Sequence, residues 1–355
     1  MSMGVPAPLA GAVWRHRLLW PMVTLVLLLA VNAAFNASFL RLEWREGHLY
    51  GSLVDILKSA SPLILVSLGM TLVITTRGID ISVGAVVAIA AAVAAWMIGG
   101  SLVVHDGVAT HVSRFPMWQA IAATLAVALL CGAWNGLLVS TVGMQPIIAT
   151  LILMVAGRGV AQLVTGGQII TIYYAPYFFI GNGYLLGLPF ALFIAAAVFL
   201  ALLWLCRRTA LGLFIQAVGI NPSAAHVAGV KARRITFAVY VFCGFCAGVA
   251  GLVLSSNVKS ADGNNAGMLM ELDAILAVTL GGTALTGGRF SLAGSVIGAL
   301  IIQTLTYAIY SLGVPPEVNL GVKAVVVFAV MLLQSAEFRR TVAGWARRPA
   351  PRGAL

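Results

Sequence analysis

Uncharged apolar runs of about 20 residues recur along this chain from near its beginning to near its end. Two of them, PLILVSLGMTLVI and VVAIAAAVAAWMI, flank the polar stretch TTRGIDISVGA at residues 75–85. A helix is the structure that lets such a run cross a bilayer, because helical backbone satisfies its own hydrogen bonds. Only 9% of the 355 residues are charged, against about 25% in soluble domains. The sequence therefore predicts an all-α integral membrane protein.

We predict one polytopic membrane domain over residues 1–355, with about ten transmembrane helices, some broken by Gly-rich segments. The predicted spans are roughly 18–40, 61–76, 81–99, 118–141, 146–165, 185–206, 235–256, 273–287, 292–312 and 322–336. If the first span were instead a cleaved signal peptide, the processing site would be the Ala-Phe-Asn-Ala at residues 34–37.

The net charge of +11 comes from Lys and Arg residues that flank the apolar runs. This pattern is typical of the positive-inside rule and not of nucleic-acid binding. Arg15 and Arg17 precede the first span, so the N-terminus is predicted to be cytoplasmic. An even number of spans returns the C-terminus to the same side. Residues 1–17 and 337–355 are then cytoplasmic tails, and 207–234 form a long cytoplasmic loop.

The stretch TTRGIDISVGA places Arg77 and Asp80 between two apolar runs. Unpaired charge in hydrocarbon costs several kcal/mol, so such residues face a partner, a cavity or the interface. Asp80 can cap the following helix at its positive end, and Arg77 can pair with Asp80 or reach the headgroups. The stretch is either a capped inner turn or a broken helix that lines a pathway.

A second polar cluster, GNNAGMLMELD at residues 263–273, lies beside an apolar span. Its amides and carboxylates can accept and donate hydrogen bonds, which suits sugar hydroxyl groups. The alternatives are an outer loop with a helix cap, or two carboxylates for acid–base chemistry. Further polar residues, Gln303 among them, fall within spans. Our candidate substrate-pathway residues are Asp80, Ser82, Asn135, Arg158, Gln162, Asn264, Asn265, Glu271 and Asp273.

The long inner loop contains Asn221-Pro222, an N-cap followed by a first-turn proline, and Gly229, which fits a helix stop. Between them a short helix presents Ala224 and Ala225. Such a helix can dock on another protein, or it can be a connector. We expect Ala225→Asp to uncouple a docked partner while leaving membrane assembly intact.

Several catalytic signatures are absent from the sequence. It has no Gly-Lys-Ser/Thr phosphate loop and no Cys/His metal spacing, so we expect neither an ATPase site nor a metal site in this chain. Cys243 and Cys246 are predicted to be packed structural thiols on one helix face. The segments around Arg77 and Arg289 each have an apolar half, a glycine break, an arginine and a small-residue helix. This similarity indicates either a weak internal repeat or two ordinary Gly-rich inner turns.

Three stretches together resemble the permease subunits of bacterial ABC sugar importers of the ribose/arabinose/xylose branch. They are GMTLVITTRGIDISVGAVVAI, AVGINPSAAHVAGV and LDAILAVTLGGTALTGGRFSLAGSVIGALI. The family usually has leucine where this chain has Ile81. The stretches QPIIATLILMVAGRGVAQLVTGGQIITI and SADGNNAGMLMELDAILAV are similar to permeases of galactofuranose importers.

The resemblance implies a multi-pass inner-membrane subunit without its own ATPase. Its implied partners are a second, different permease chain, an ATP-binding subunit that uses ATP and Mg, and a periplasmic sugar-binding protein. The coupling segment would be Asn221, Pro222, Ala224, Ala225 and Gly229. Two alternatives stay open: an ion-coupled secondary transporter with Asp80, Glu271 or Asp273 as the ion site, and a membrane enzyme.

Overall fold

The structure is a computed structural model that describes residues 18–334 except 37, 46, 106, 107 and 314. Several features used in the sequence analysis lie outside the described residues. They are both predicted tails, the pair Arg15 and Arg17 that set the predicted orientation, and the last residue of the possible processing site. The helices are Leu19–Phe35 (α1), Ser52–Thr75 (α2), Val83–Ile98 (α3), Met117–Leu137 (α4), Pro146–Thr165 (α5), Ala175–Asn182 (α6), Phe190–Arg208 (α7), Leu211–Ile220 (α8), Pro222–Val227 (α9), Ala232–Val258 (α10), Met270–Leu280 (α11), Leu292–Ser311 (α12) and Pro316–Gln334 (α13).

Each predicted span contains a helix, and the all-α polytopic prediction is confirmed. Within the described residues, six helices are long and apolar enough to cross a membrane by length and composition. They are α2, α4 with its following π-turn Leu138–Val142, α5, α7, α10 and α12. Of the others, α13 has 19 residues, and α3 has 16 residues and lies almost wholly buried.

Several predicted spans have wrong boundaries, and three errors are the clearest. The second span begins at Ser52 and not at residue 61, so its helix continues through the polar residues that precede the apolar run. The eighth ends at Leu280 and not at residue 287, because Gly281 packs directly against Gly294 and the chain then turns through glycines with positive φ. The sixth begins at Phe190, since the residues before it form the hairpin of Tyr184–Leu185 (β6) and Leu188–Pro189 (β7). In the eighth and sixth spans, an apolar run extends beyond the helix it contains.

Short antiparallel strand pairs cover one end of the helix bundle. Glu43–Arg45 (β1) pairs with His48–Tyr50 (β2), and Ser101–His105 (β3) pairs with Val108–Val112 (β4). Ile170–Thr171 (β5) pairs with Ser260–Ala261 (β8), which joins two connections that are far apart in the chain. Because β5 follows α5 and β8 follows α10, these pairs place the C-terminal ends of both helices on the same side.

Helix α10 lies at the centre of the bundle and packs mainly against α2, α3 and α4. Small residues allow this close packing: a Cβ added to Gly244 would lie 2.8 Å from the Cα of Gly132. Such small-residue contacts are typical of helix interfaces in membranes. Cys243 and Cys246 are free and fully buried on the packed face of α10, as the sequence predicted.

The two segments of the weak internal repeat meet at the opposite end of the bundle. The backbone amide of Gly288 donates to the carbonyl of Thr75 at 2.9 Å. Arg77, whose φ is +63°, donates to the carbonyls of Gly219 and Ile220 at the end of α8. Of the two alternatives for Arg77, the pair with Asp80 is not formed, because these carbonyls accept from the guanidinium while Asp80 turns into the bundle.

Candidate functional site

A non-helical segment, residues 262–269, inserts between helices α3 and α5. Ala261 packs in the cluster that contains Ala91, Ala94 and Ala95 of α3. A Cβ added to Gly267 would lie 2.7 Å from the carbonyl oxygen of Gly84, near the opposite end of α3. The segment therefore descends about two turns, roughly 10 Å, along α3. Helix α11 begins at this depth. We name residues 262–269 the inserted segment.

The inserted segment is held from the α5 side by polar contacts. Arg158 Nη1 donates to the carbonyl oxygens of Ala266 at 2.6 Å and Asn264 at 3.2 Å. Gln162 Nε2 donates to Asn264 Oδ1. Irregular backbone at membrane depth needs such partners, because water does not satisfy it there. Arg158 and Gln162 thus hold the inserted segment from the α5 side, through Ala266 and Asn264.

Asp262 organises the upper part of the inserted segment. Its Oδ1 accepts from the backbone amide of Asn264 at 2.8 Å, and its Oδ2 accepts from Asn265 Nδ2 at 2.7 Å. Partial burial raises the pKa of the Asp262 carboxyl, but these hydrogen bonds and the charge of Arg158 together hold the pKa below its ordinary value. The carboxyl is therefore ionised throughout the neutral and mildly acidic range.

A cavity of about 520 Å³ opens beside the inserted segment. Helices α2, α3, α10, α11 and α12 form most of the rest of its wall, and Ile169 and Ser260 complete it. The lining residues are Ser59, Pro62, Leu63, Ala91, Ile169, Leu254, Ser255, Val258, Ser260, Asp262, Asn265, Ala266, Gly267, Met268, Met270, Asp273 and Gln303. The cavity combines an apolar surface with converging hydroxyl, amide and carboxylate groups, as small-molecule sites do. We name it the central cavity.

Asp273 separates the central cavity from a second cavity of about 610 Å³ between α11, α12 and α13, and lines both. Lys323 Nζ of α13 lies 2.6 Å from Asp273 Oδ2, and both side chains are largely buried. Glu271 lies two residues before Asp273 at the start of α11. It is only 4% exposed and lines neither cavity. Both carboxylates lie in the first turn of α11, where the positive end of the helix favours negative charge.

Asp80, Ser82 and Asn135 form a separate buried cluster that does not line the central cavity. Asp80 Oδ1 accepts from Ser82 Oγ at 2.6 Å and from Asn135 Nδ2 at 3.3 Å, and Asn135 Nδ2 also donates to Ser82 Oγ at 2.8 Å. Asp80 also accepts from the backbone amide of Ser82, the residue before α3, so the expected cap of α3 itself is not formed.

The short helix α9 in the long loop has the predicted termini. Asn221 Oδ1 accepts from the backbone amides of Ser223 and Ala224 at 3.0 Å, Pro222 is the first helical residue, and Gly229 has a φ of +84°. Ala224 is exposed, whereas Ala225 is only 5% exposed. Ala225→Asp is therefore the wrong test of docking, because it would bury a carboxylate.

Of the nine candidate pathway residues, the structure places Asn265 and Asp273 on the central cavity. The sequence reasoning missed Ser59, Asp262 and Lys323 and left Gln303 among ordinary span residues. Gln303 and Lys323 had a usable signal, a polar side chain inside an apolar run. Ser59 had none, because serine hydroxyls in helices commonly bond the backbone of their own helix.

Comparison with known proteins places the chain among transport permeases. Residues 52–333 match the family described as branched-chain amino acid transport system / permease component. The chain is 46% identical to the galactofuranose transporter permease of Escherichia coli K12, over 93% of this chain and 94% of the relative.

Two further relatives are also sugar permeases. The fructose import permease of Bifidobacterium longum is 39% identical, over 94% of this chain and 92% of the relative. The ribose import permease of Escherichia coli K12 is 35% identical, over 88% and 92%. No solved structure matches the chain. This chain belongs to the family of transport-system permease components that the profile over residues 52–333 describes.

Proposed function

We propose that this chain is one permease of an ATP-driven importer for galactofuranose or a related monosaccharide. The observation that carries the proposal is the central cavity of about 520 Å³, whose wall combines Asp262, Asn265, Asp273 and Gln303 with apolar side chains. Pockets of about 300–1,000 Å³ suit small ligands, and these groups suit hydroxyl-rich ones. The galactofuranose, fructose and ribose permeases among its relatives support this substrate class.

The sugar would enter from the end of the bundle that carries the strand pairs, which we assign to the periplasm. Both termini are then cytoplasmic, in a bacterial inner membrane. A periplasmic sugar-binding protein would deliver the sugar there, and a second, different permease chain would complete the pathway. The contacts of Asn264 with Gln162, and of Ala266 with Arg158, support a rigid wall on the α5 side of this pathway.

Helix α9 would couple the permease to the ATP-binding subunit, which holds ATP and Mg. Val227 is 89% exposed, and a cavity of about 820 Å³ beside it is lined by Pro222, Ser223, His226, Val227, Lys231, Ala232, Arg233 and Arg234. Asn221 fixes the start of the helix, and buried Ala225 anchors its inner face. Movement of the docked subunit would then reach α8, whose last carbonyls accept from Arg77.

The test is reconstitution with the neighbouring genes' products in proteoliposomes. We expect ATP-dependent uptake of galactofuranose that requires the binding protein, and no uptake with a hydrolysis-deficient ATPase. Fructose and ribose serve as competing substrates. Native mass spectrometry of the solubilised complex tests for one copy of this chain beside a different permease. Uptake by the lone chain, driven by a proton or sodium gradient without ATP, would contradict the proposal and support ion coupling.

A further inference from the structure

The charged groups of the central cavity share one arrangement. Among its described lining residues, the charged ones are Asp262 and Asp273. Asp273 forms an ion pair with Lys323, whereas Asp262 has only the electrostatic influence of Arg158, and neither cation lines the cavity. Lys323 approaches Asp273 from the second cavity, and Arg158 approaches the inserted segment from α5. A molecule in the central cavity therefore meets carboxylate oxygens, while the compensating cations lie behind the wall.

The pair of Asp273 and Lys323 shows this arrangement best. Lys323 Nζ engages only Oδ2 of Asp273, and Oδ1 has no protein hydrogen bond among the described residues. Oδ1 thus remains a hydrogen-bond acceptor for a hydroxyl group. The side chains of Lys323 and Asp273 are 13% and 26% exposed, so solvent screens the pair weakly. Removal of one partner would leave an uncompensated charge beside the cavity.

We propose that Lys323 makes the central cavity selective for uncharged sugars, by neutralising Asp273 from outside the cavity. The proposal rests on the proposed sugar-import function. A lone carboxylate in a weakly screened cavity attracts cations strongly, and a transport pathway that holds cations would be blocked by them. With Lys323 in place, the carboxylate keeps its hydrogen-bonding capacity for sugar hydroxyls without a net local charge. Selection against cations is thus separate from recognition of hydroxyls.

Arg158 also lies near the carboxylates of the cavity, but unlike Lys323 it does not pair with a single one. Its guanidinium lies in the electrostatic range of both Glu271 and Asp262, so its charge is shared between two carboxylates. Glu271 is buried behind the wall and also interacts electrostatically with Asp273. Because Arg158 is shared in this way, Lys323 is the cation that compensates Asp273 directly.

The first experiment measures the electrostatic potential of the cavity in the complete complex. Ser59 is exposed and lines the cavity, so Ser59→Cys provides a reporter thiol for cationic and anionic methanethiosulfonate reagents. We expect Lys323→Met to raise the ratio of the cationic to the anionic labelling rate about tenfold, and Asp273→Asn to lower it by a similar factor. Lys323→Arg keeps the positive charge, so its labelling ratio should stay within about twofold of the ratio in Ser59→Cys alone. The double variant Lys323→Met/Asp273→Asn removes both charges and should return the ratio to within the same twofold range.

The second experiment measures function. Protonated galactosamine should inhibit import of the neutral sugar at least about tenfold more strongly in Lys323→Met than in Lys323→Arg, with the same binding protein in both. An unchanged labelling ratio, or equal inhibition of both variants, would overturn the proposal. If Lys323→Met does not assemble, Asp273→Asn still tests the labelling shift in the opposite direction. Absence of any neutral-sugar import by the unsubstituted complex would refute the import function alone, because the labelling ratio does not depend on transport.

Discussion

Arg158 Nη1 donates a 2.6 Å hydrogen bond to the carbonyl oxygen of Ala266, which ties helix α5 to the inserted segment. The same atom donates to Asn264 at 3.2 Å. Arg158 thus contacts backbone behind the cavity wall, although its place inside an apolar run had marked it as a pathway residue. Its role in transport, on this geometry, is to position the wall.

Arg158→Met should loosen the inserted segment. A hydrogen bond from a charged donor contributes about 1.5–3 kcal/mol, so the amides of residues 262–269 should exchange with solvent deuterium at least about tenfold faster. Arg158→Lys should give an intermediate result, because one ammonium cannot reproduce the guanidinium's geometry. Arg114→Met, an exposed arginine in another loop, is the matched control. Unchanged exchange in Arg158→Met would show that other contacts hold the segment.

Asn135→Ala should lower stability and leave the transport pathway intact. The substitution removes donors to Asp80 and Ser82 in a fully buried cluster, which should destabilise the complex by about 1–3 kcal/mol. Thermal unfolding in detergent measures the loss, and exposed Gln145→Ala is the control. If import stops while the unfolding temperature stays constant, the cluster takes part in the pathway after all.

Two helical glycines offer a matched pair of substitutions. A Cβ at Gly219 would overlap the carbonyl oxygen of Thr75 and lie 2.6 Å from the amide nitrogen of Gly288. Gly219→Ala should therefore destabilise by about 1–3 kcal/mol through overpacking. A Cβ at Gly159 would have no atom within 4 Å, so Gly159→Ala should be neutral or stabilise by about 0.5–1 kcal/mol. Equal unfolding temperatures for both variants would contradict the close approach of α2 and α8.

Val227→Asp should uncouple ATP hydrolysis from import. Val227 is 89% exposed, so a charge there leaves the permease fold intact but places a carboxylate in the proposed docking face. We expect reduced copurification of the ATP-binding subunit and loss of import, with the two permeases still associated. Ala225→Asp should instead lower the unfolding temperature, because Ala225 is buried. Full import by Val227→Asp would argue that α9 is only a connector.

Protonation of Asp262 should affect the order of the inserted segment only under strongly acidic conditions. The folded-state pKa of Asp262 lies below the ordinary value of 3.8, so its stabilising contribution is complete above pH 3.8 and is lost as the pH falls through the folded pKa. Between pH 5 and 8 the Asp262 carboxyl stays ionised, so its protonation should not change the deuterium exchange of residues 262–269. The measurement would be made in this range. Asp262→Asn should raise exchange across that range. A transition near neutral pH that disappears in Asp262→Asn would contradict the lowered pKa.

Features that depend on neighbours in sequence were predictable. Asn221, Pro222 and Gly229 define α9 through local hydrogen bonds and backbone conformation, and the structure confirms them. The helical nature of the apolar runs follows in the same way from the bilayer. By contrast, the end of α11 at Leu280 depends on the packing of Gly281 against Gly294 in another helix, which no local pattern indicates.

The sequence by itself determined that the chain is an all-α polytopic membrane protein, and its motifs indicated the permease family. Both conclusions depend on composition and on short contiguous stretches. Only the tertiary structure decided which polar residues share the central cavity, since Ser59, Asp273 and Gln303 lie on three different helices. It also decided that Arg77 caps α8 and that Lys323 neutralises Asp273. Contacts between distant segments are selected by helix packing, and packing depends on the whole set of facing side chains.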